Sequence, residues 1–300
     1  MNLTDRQFKS FSLVQEMMET PEILRRFDFG ASGEIARAVE EAGRMFLTGE
    51  GSSRIFPAKN TIYDCLRLGA PLSIATDGAR QAHEYDLSRF AVFGASNSGK
   101  TKEVISLFTQ LAQRGHQKRF GLTANEKTPL EGLCNRCHVL SCGPEQAVAA
   151  TKSVVEQALF YRSILCHLEK GQGPLPANQQ LAADKARETL EMALDPEIVR
   201  TVAAAPVIYF AGRNNGAAEE LALKTNEITR KKSDFLEGTY AVHGIEEVMR
   251  GGEVVVVIDP FPADVAKFKD VLVDGVGLTV MAVAHQDTLF PTIKIPSVPG

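Results

Sequence analysis

A chain of 300 residues with 44% hydrophobic content holds enough apolar side chains for one large or two ordinary globular domains. Its 33 basic and 37 acidic residues are mixed along the chain and leave a formal charge of −4, which excludes the basic stripe of a nucleic-acid or anionic-membrane binder and favours a small-molecule partner. No apolar run reaches the ~20 residues of a membrane span, and residues 1–6 carry no signal-peptide core, so a cytoplasmic chain is expected.

In chain order, short apolar strands alternate with helical periodicity, the pattern of parallel sheets covered by helices. Residues 1–27 read as an amphipathic helix with Phe11, Leu13, Val14, Met17 and Met18 mostly on one side and a break at Thr20-Pro21. A strand at 44–47 ends in Gly49-Glu50-Gly51-Ser52-Ser53, and a helix follows over 55–68. Strands at 72–75 and 90–94 come next, and the second runs into Ser96-Asn97-Ser98-Gly99-Lys100-Thr101 at the start of a helix over 101–114. Three hydroxyls and a glycine where a strand turns into a helix can converge on one anion at the positive helix end, and a phosphomonoester fits that geometry. A nucleotide triphosphate fits less well. Gly99-Lys100-Thr101 matches only the end of the Walker pattern, and Gly94 is one residue too close. A serine-rich helix cap is the plainer account of the same run.

Strands at 119–123 and 138–140 follow. Cys134-Asn135-Arg136-Cys137-His138 has the spacing of a c-type haem attachment site, with Cys142 nearby. No export signal accompanies it, a zinc site needs a second ligand pair, and His138 opens a strand, so no metal or cofactor is expected. The odd count of five cysteines points to reduced thiols. A long apolar helix over 151–169 closes the first unit, and Gly171-Gln172-Gly173-Pro174-Leu175-Pro176 reads as a linker. The second unit starts with a helix over 178–194. It continues with a strand at 207–210, a turn at Gly212-Arg213-Asn214-Asn215-Gly216 and a helix to about Arg230, and then strands at 233–236, 253–258, 278–283 and 292–295. Strand, polar glycine turn and helix open both halves in the same order, which suggests a duplicated α/β unit. Glu220 and Glu227, seven apart, fall on one face of the helix that contains them. A solvated face is the usual account of paired carboxylates on a helix. Tyr240-Ala241-Val242-His243-Gly244 precedes a helical run over 245–250 and can deliver an imidazole into a cleft.

Four segments in this order resemble the sugar isomerase (SIS) domain proteins, in particular the double-domain phosphosugar isomerases: Gly49-Glu50-Gly51-Ser52-Ser53, the Ser-x-Ser-Gly-x-Thr-x-Glu pattern from Ser96 to Glu103, Ala149-Ala150-Thr151-Lys152-Ser153, and the Glu220, Glu227, His243 array. The resemblance spans most of the chain and takes in the isomerase half of glucosamine-6-phosphate synthase, the ketose/aldose isomerases and the fructosamine-6-phosphate deglycases. It implies two tandem domains, each a five-stranded parallel sheet flanked by helices: an N-terminal helical segment at 1–35, a phosphate-binding domain at 36–170, a linker at 171–185 and a catalytic domain at 186–300. It implies a phosphate site made of Ser52, Ser53, Ser96, Asn97, Ser98 and Thr101, and sugar contacts from Gly51, Val148, Ala150 and Lys152. Glu227 would move a proton between carbons 1 and 2 of a 6-phosphosugar or 6-phospho-aminosugar, His243 would help open the ring, and Glu220 would orient. The resemblance also implies a homodimer, in which the neighbouring subunit can donate His243.

The chain departs from these relatives at three places. Ile245 stands where the synthases have proline, Ala150 where they have serine, and nothing after residue 296 matches the tail lysine that acts in the synthase's sugar site. Either the chain continues beyond the residues given or proton transfer rests on other groups. Deglycation or deamination of a phospho-aminosugar uses the same enolisation and stays open as an alternative. A non-catalytic phosphosugar sensor is the rival of another class, disfavoured because only about 35 residues precede the first unit, without a basic recognition helix.

Overall fold

The uninterrupted apolar runs Ala91–Ala95 and Val254–Ile258 are the central strands of two five-stranded parallel sheets. Strands covered by helices on both faces are expected to be apolar throughout rather than alternating, and all five residues of the first run are buried. The computed structural model describes residues 6–169 and 177–298, so the expected linker from Gly171 to Pro176 lies outside the described residues. By their contacts the described residues form two units, one ending at Ala186 and the other covering Arg187–Ser297.

The first unit contains α1 (Arg6–Lys9), α2 (Ser12–Arg26), α3 (Gly33–Ala42), β1 (Arg44–Thr48), α4 (Ile55–Leu68), β2 (Ser73–Thr76), α5 (Ala79–Ala82), β3 (Ala91–Ala95), α6 (Lys102–Gln113), β4 (Arg119–Thr123), α7 (Pro129–Leu133), β5 (Arg136–Val139), α8 (Lys152–Leu168) and the start of α9 (Gln179–Glu191). Its sheet runs β2-β1-β3-β4-β5, every pair parallel. On one face α2, α3, α4 and α8 pack Ile23, Val39, Ala58 and Phe160 against Met45, Leu47 and Phe93. On the other face α5, α6 and α7 pack Ala79, Leu107, Phe108 and Leu130 against Phe46 and Val92. Of the 17 side chains of α8, 14 are buried, so its charged groups need partners. Arg162 has Asp64 at 3.7 Å and Glu169 at 3.9 Å. The stretch 6–35, expected as a separate helical segment, packs within this unit.

The second unit contains α10 (Pro196–Ala204), β6 (Val207–Gly212), α11 (Ala217–Lys224), β7 (Lys232–Glu237), β8 (Val254–Ile258), α12 (Val265–Phe268), β9 (Thr279–Ala284) and β10 (Thr292–Lys294). Its sheet order, β10-β9-β8-β6-β7, is the first sheet's order read with the same connectivity. In both units the chain pairs its first two strands and then crosses to the far side of the first strand for the remaining three. The two-domain fold class and the ten strands follow the sequence reading.

Three local expectations are corrected. Pro21 does not break the N-terminal helix: α2 runs through it to Arg26, and the break falls earlier, at Ser10-Phe11. The turn after Pro21 is held by burial of Ile23 and by Arg25, which pairs with Asp184. Residues 179–185, which the resemblance assigns to the linker and the periodicity to a helix over 178–194, begin α9, where Gln179 Nε2 donates to Leu24 O at 2.9 Å and Phe27 O at 2.7 Å. The helical run expected at 245–250 is only a short 3₁₀ turn, Ile245–Val248, because Met249 is already extended.

His138 on β5 stacks on Phe160 with ring centroids 4.3 Å apart, and burial pushes its imidazolium below the usual histidine range although Glu156 pulls the other way. A histidine that is neutral when folded and charges more readily when unfolded contributes stability above the unfolded pKa, ~6.5, which is lost as pH falls toward the folded value. The urea midpoint of the wild type should therefore fall between pH 7.5 and pH 5.5, and the fall should be smaller in His138→Gln. An equal fall in both proteins would remove His138 from the account.

Candidate functional site

In an open parallel sheet, ligands bind outside the carboxyl ends of the strands, where consecutive strands send their helices to opposite faces. In the first unit that place lies between β1 and β3: β1 leads into α4 on one face, and β3 leads into α6 on the other. The loops leaving these two strands are Gly49–Ser53 and Ser96–Thr101, two of the segments singled out in the sequence. Gly49 lets them close on each other, since a Cβ there would lie 2.9 Å from Ala95 O and 3.0 Å from Ser53 O.

The Ser96–Thr101 turn is shaped from within. Gly99 N–H donates to Ser96 O at 2.9 Å, and Gly99 takes a φ of +64°, a left-handed conformation that favours glycine. Ser96 Oγ and Thr101 Oγ1 are 2.7 Å apart, so one donates to the other and a single hydroxyl proton of the pair remains to point outward. Ser96 itself is buried, at 2% exposure, and stands behind Thr101. Ser98 Oγ accepts from Lys100 N at 3.2 Å, which keeps its own proton available. Thr101 is the N-cap of α6, whose first intrahelical bond, Ile105 N–H to Thr101 O, leaves the first-turn amides without intrahelical acceptors. Ser52 is largely buried, Ser53 half-buried and Gly51 exposed on the short 3₁₀ turn that faces them.

Asn97 is used differently from the hydroxyls. Its side-chain amide donates to Glu145 Oε2 at 2.8 Å and to Ser153 Oγ at 3.2 Å. The same Glu145 carboxylate accepts from Thr151 N at 2.7 Å, from Thr151 Oγ1 at 2.9 Å and from Ser153 Oγ. Two further carboxylates hold the loop between β5 and α8. Glu156, 1% exposed, accepts from Ser141 N and Cys142 N, each at 2.7 Å, and Glu16 of α2 accepts from Gln146 N at 2.5 Å and Ala147 N at 3.2 Å. Val148, at the apex of this pinned loop, is 99% exposed, and Ala150 is half-buried. Lys152 is placed as a strut: it is buried and its ammonium meets Glu19 of α2 at 2.6 Å. None of the three pinning carboxylates was singled out in the sequence, and their positions carry no periodic signal that could have marked them.

In the second unit Glu220 and Glu227 converge on Lys224, which lies 3.4 Å from Glu220 Oε1 and 2.9 Å from Glu227 Oε2. Glu220 and Lys224 side chains are 12% and 16% exposed, and Glu227 is 33% exposed, so the cluster is sunk with its outer carboxylate accessible. Glu227 sits in a π-helical turn, Thr225–Thr229, that widens the end of α11 before Arg230 closes it at φ +58°. Such turns insert an extra residue into the helix and often sit at functional positions. Lys224 was legible in principle, since it is i+4 from one glutamate and i−3 from the other. His243 is not joined to this cluster: it is exposed, and its Nε2 accepts from Lys267 Nζ at 3.1 Å. That bond uses the Nε2 lone pair and leaves the ring proton on Nδ1.

At the equivalent position, between β6 and β8, the second unit is built otherwise. Arg213 pairs with Asp259 Oδ2 at 2.5 Å, bonds the Asp259 carbonyl, and lies over the Phe261 ring at 4.3 Å. Among the described residues no group of three or more His, Cys, Asp or Glu side chains is placed to hold a metal ion, and no helix is long and apolar enough to cross a membrane.

No family model and no curated protein matches the sequence. Solved structures do match the fold. The C-terminal domain of glucosamine-fructose-6-phosphate aminotransferase from Francisella tularensis superposes with a TM-score of 0.77 at 15% identity, covering 97% of this chain and 90% of that one. Tagatose-6-phosphate ketose/aldose isomerase from Escherichia coli gives 0.72 at 18% identity over 97% and 87%. Glucosamine-6-phosphate deaminase from Thermotoga maritima gives 0.68 at 18% identity over 91% and 85%. At these identities the likeness establishes a shared fold of two α/β units.

Proposed function

We propose that the chain is an enzyme that enolises a 6-phosphosugar or 6-phospho-aminosugar, interconverting aldose and ketose by proton transfer between carbons 1 and 2. The observation that carries this reading is the hydroxyl-lined turn from Ser96 to Thr101 at the amino end of α6, opposite Ser52 and Ser53. Neutral donors and a helix end suit a phosphate dianion, which they bind without burying a cation. The hydroxyls of Ser52, Ser53, Ser98 and Thr101 take the phosphate, with Ser96 fixing Thr101, and Gly51, Val148 and Ala150 flank the sugar. The names of the structural neighbours, an aminotransferase, an isomerase and a deaminase of sugar phosphates, point to the same chemistry.

Glu227 takes the hydrogen from carbon 2 as a proton and returns it to carbon 1 through an enediol or its enamine counterpart. Lys224 holds Glu227 and Glu220 in a fixed fan and screens their repulsion, so the base presents one orientation. His243 moves a proton between ring oxygen and hydroxyl, and its exposed position on the second unit fits donation to the site of a neighbouring copy in a homodimer.

The test is proton NMR in D₂O with a panel of 6-phosphosugars and 6-phospho-aminosugars. Deuterium entering carbon 1 or 2 of one substrate is the expected result, and ammonia or amino-acid release separates deaminase or deglycase from isomerase. Binding without exchange in any substrate would instead make the chain a sensor. A second expectation concerns Glu145. Glu145→Ala should weaken phosphosugar binding by about 10- to 100-fold, or ~1.4–2.7 kcal/mol, because Asn97, Thr151 and Ser153 lose their common acceptor. Unchanged affinity by isothermal calorimetry would leave Glu145 a purely structural group.

A further inference from the structure

Cys134 and Cys137 take no part in the function proposed above, yet the fold brings them together. Cys134 closes α7, where its N–H donates to Glu131 O at 3.3 Å, and Cys137 lies on β5 opposite Gly121 of β4. A Cβ on Gly121 would lie 2.7 Å from Cys134 Sγ and 2.8 Å from Cys137 Sγ. The two sulfurs thus share the space that the side chain of any other residue would fill. The proximity of the two thiols holds Cys137 below and pushes Cys134 above the usual thiol range, and both side chains are half-buried rather than sealed. Cys65, Cys142 and Cys166 are buried, and burial beside Glu156 pushes the Cys142 thiol up.

The pair is coupled to the anion loop through one short element. At the start of α7 the Leu130 N–H donates to Gly99 O at 3.2 Å, and Thr128, whose Oγ1 accepts from Glu131 N at 3.3 Å, packs directly against Gly99. Cys134 is the residue at the other end of this five-residue helix.

We infer that Cys134 and Cys137 are a reversible disulfide site, oxidised by a small-molecule disulfide of the glutathione type, and that closing the disulfide shifts α7 and loosens the Ser96–Thr101 loop. The Cys137 thiolate attacks one sulfur of the oxidant, forming a mixed disulfide and expelling one thiolate. Cys134, giving up its proton to solvent, then attacks the Cys137 sulfur and expels the second thiol. The protein loses two hydrogens and two electrons, and the oxidant becomes two thiols. The S–S bond, about 2.05 Å, is shorter than any thiol hydrogen bond, so one residue must move. Cys137 is held in the β4–β5 ladder, which leaves Cys134 and α7 to give way. The regulatory half of this inference rests on the proposed anion site, and the covalent half does not.

The test equilibrates the intact protein with glutathione buffers of increasing oxidised fraction. A loss of about 2 Da is expected, abolished in Cys134→Ser and in Cys137→Ser and retained in Cys142→Ser. Trypsin cuts after Arg136, between the two cysteines, so the disulfide should join peptides 128–136 and 137–152. Amide exchange over 96–101 should rise about tenfold on oxidation and return with dithiothreitol. Full alkylation of both thiols at every buffer ratio, or mixed disulfides alone, would overturn the covalent site. A formed disulfide with unchanged exchange over 96–101 would overturn the coupling. If the reduced protein binds no phosphosugar, the function reading fails while both of these readouts stand.

Discussion

Glu227→Gln is expected to slow deuterium exchange at carbon 2 of the substrate by about 10²–10⁴-fold, the range contributed by a positioned general base. The amide is nearly isosteric and its oxygen can still accept from Lys224, so the cluster at the end of α11 should keep its shape. Phosphosugar affinity should change by less than about threefold, because the proposed phosphate contacts lie in other loops. The measurement is the NMR exchange rate for variant and wild type at equal saturation. Wild-type exchange in the variant would show that another group removes the proton.

Gly99→Ala should be the most damaging single-methyl change in the Ser96–Thr101 loop. A φ of +64° costs a non-glycine residue about 1–2 kcal/mol, and the new Cβ would lie 2.3 Å from Thr128 Cβ, an atom that no rotamer change can move aside. Together these effects should lower stability by about 2–4 kcal/mol and weaken phosphosugar binding by at least about tenfold. A double-mutant cycle with Thr128→Gly separates the causes: removing the opposing Cβ should recover the steric part and leave the backbone strain. Additive losses would mean that Thr128 is not what Gly99 makes room for.

Much of the architecture is visible in the residues because the strands are continuous apolar runs such as Val254-Val255-Val256-Val257-Ile258, because α4 and α6 keep one apolar stripe over three or more turns, and because α8 is a long apolar helix. The hidden elements are those whose signal is tertiary. α3 opens on Gly33-Glu34 and spans only ten residues, and it is secured by burying Ile35, Ala36 and Val39 against the sheet. The π turn at Thr225 cannot be read from the sequence, since a spacing of seven fits an ordinary helix equally well. At the candidate site the hydroxyls could be named from their run at a helix start, whereas Glu220, Glu227 and His243 are marked out through the resemblance to the SIS proteins. Glu16, Glu145 and Glu156 could not be named, because a carboxylate that serves to collect backbone amides looks in sequence like any surface glutamate. Lys152 is a cation in a motif that the fold turns toward Glu19, which its place in the motif does not announce.

The two sheets share one connectivity, but only the first carries a turn rich in serine and threonine where its strands diverge. Where the first unit presents Ser98 and Thr101 across from Ser52 and Ser53, the second places Arg213 against Asp259 and over the Phe261 ring. The consequence is one of stoichiometry. On the proposed function, a fold present twice per chain offers a single seat for a phosphate, so calorimetric titration with a hexose 6-phosphate should saturate at one equivalent per polypeptide, and a homodimer at two.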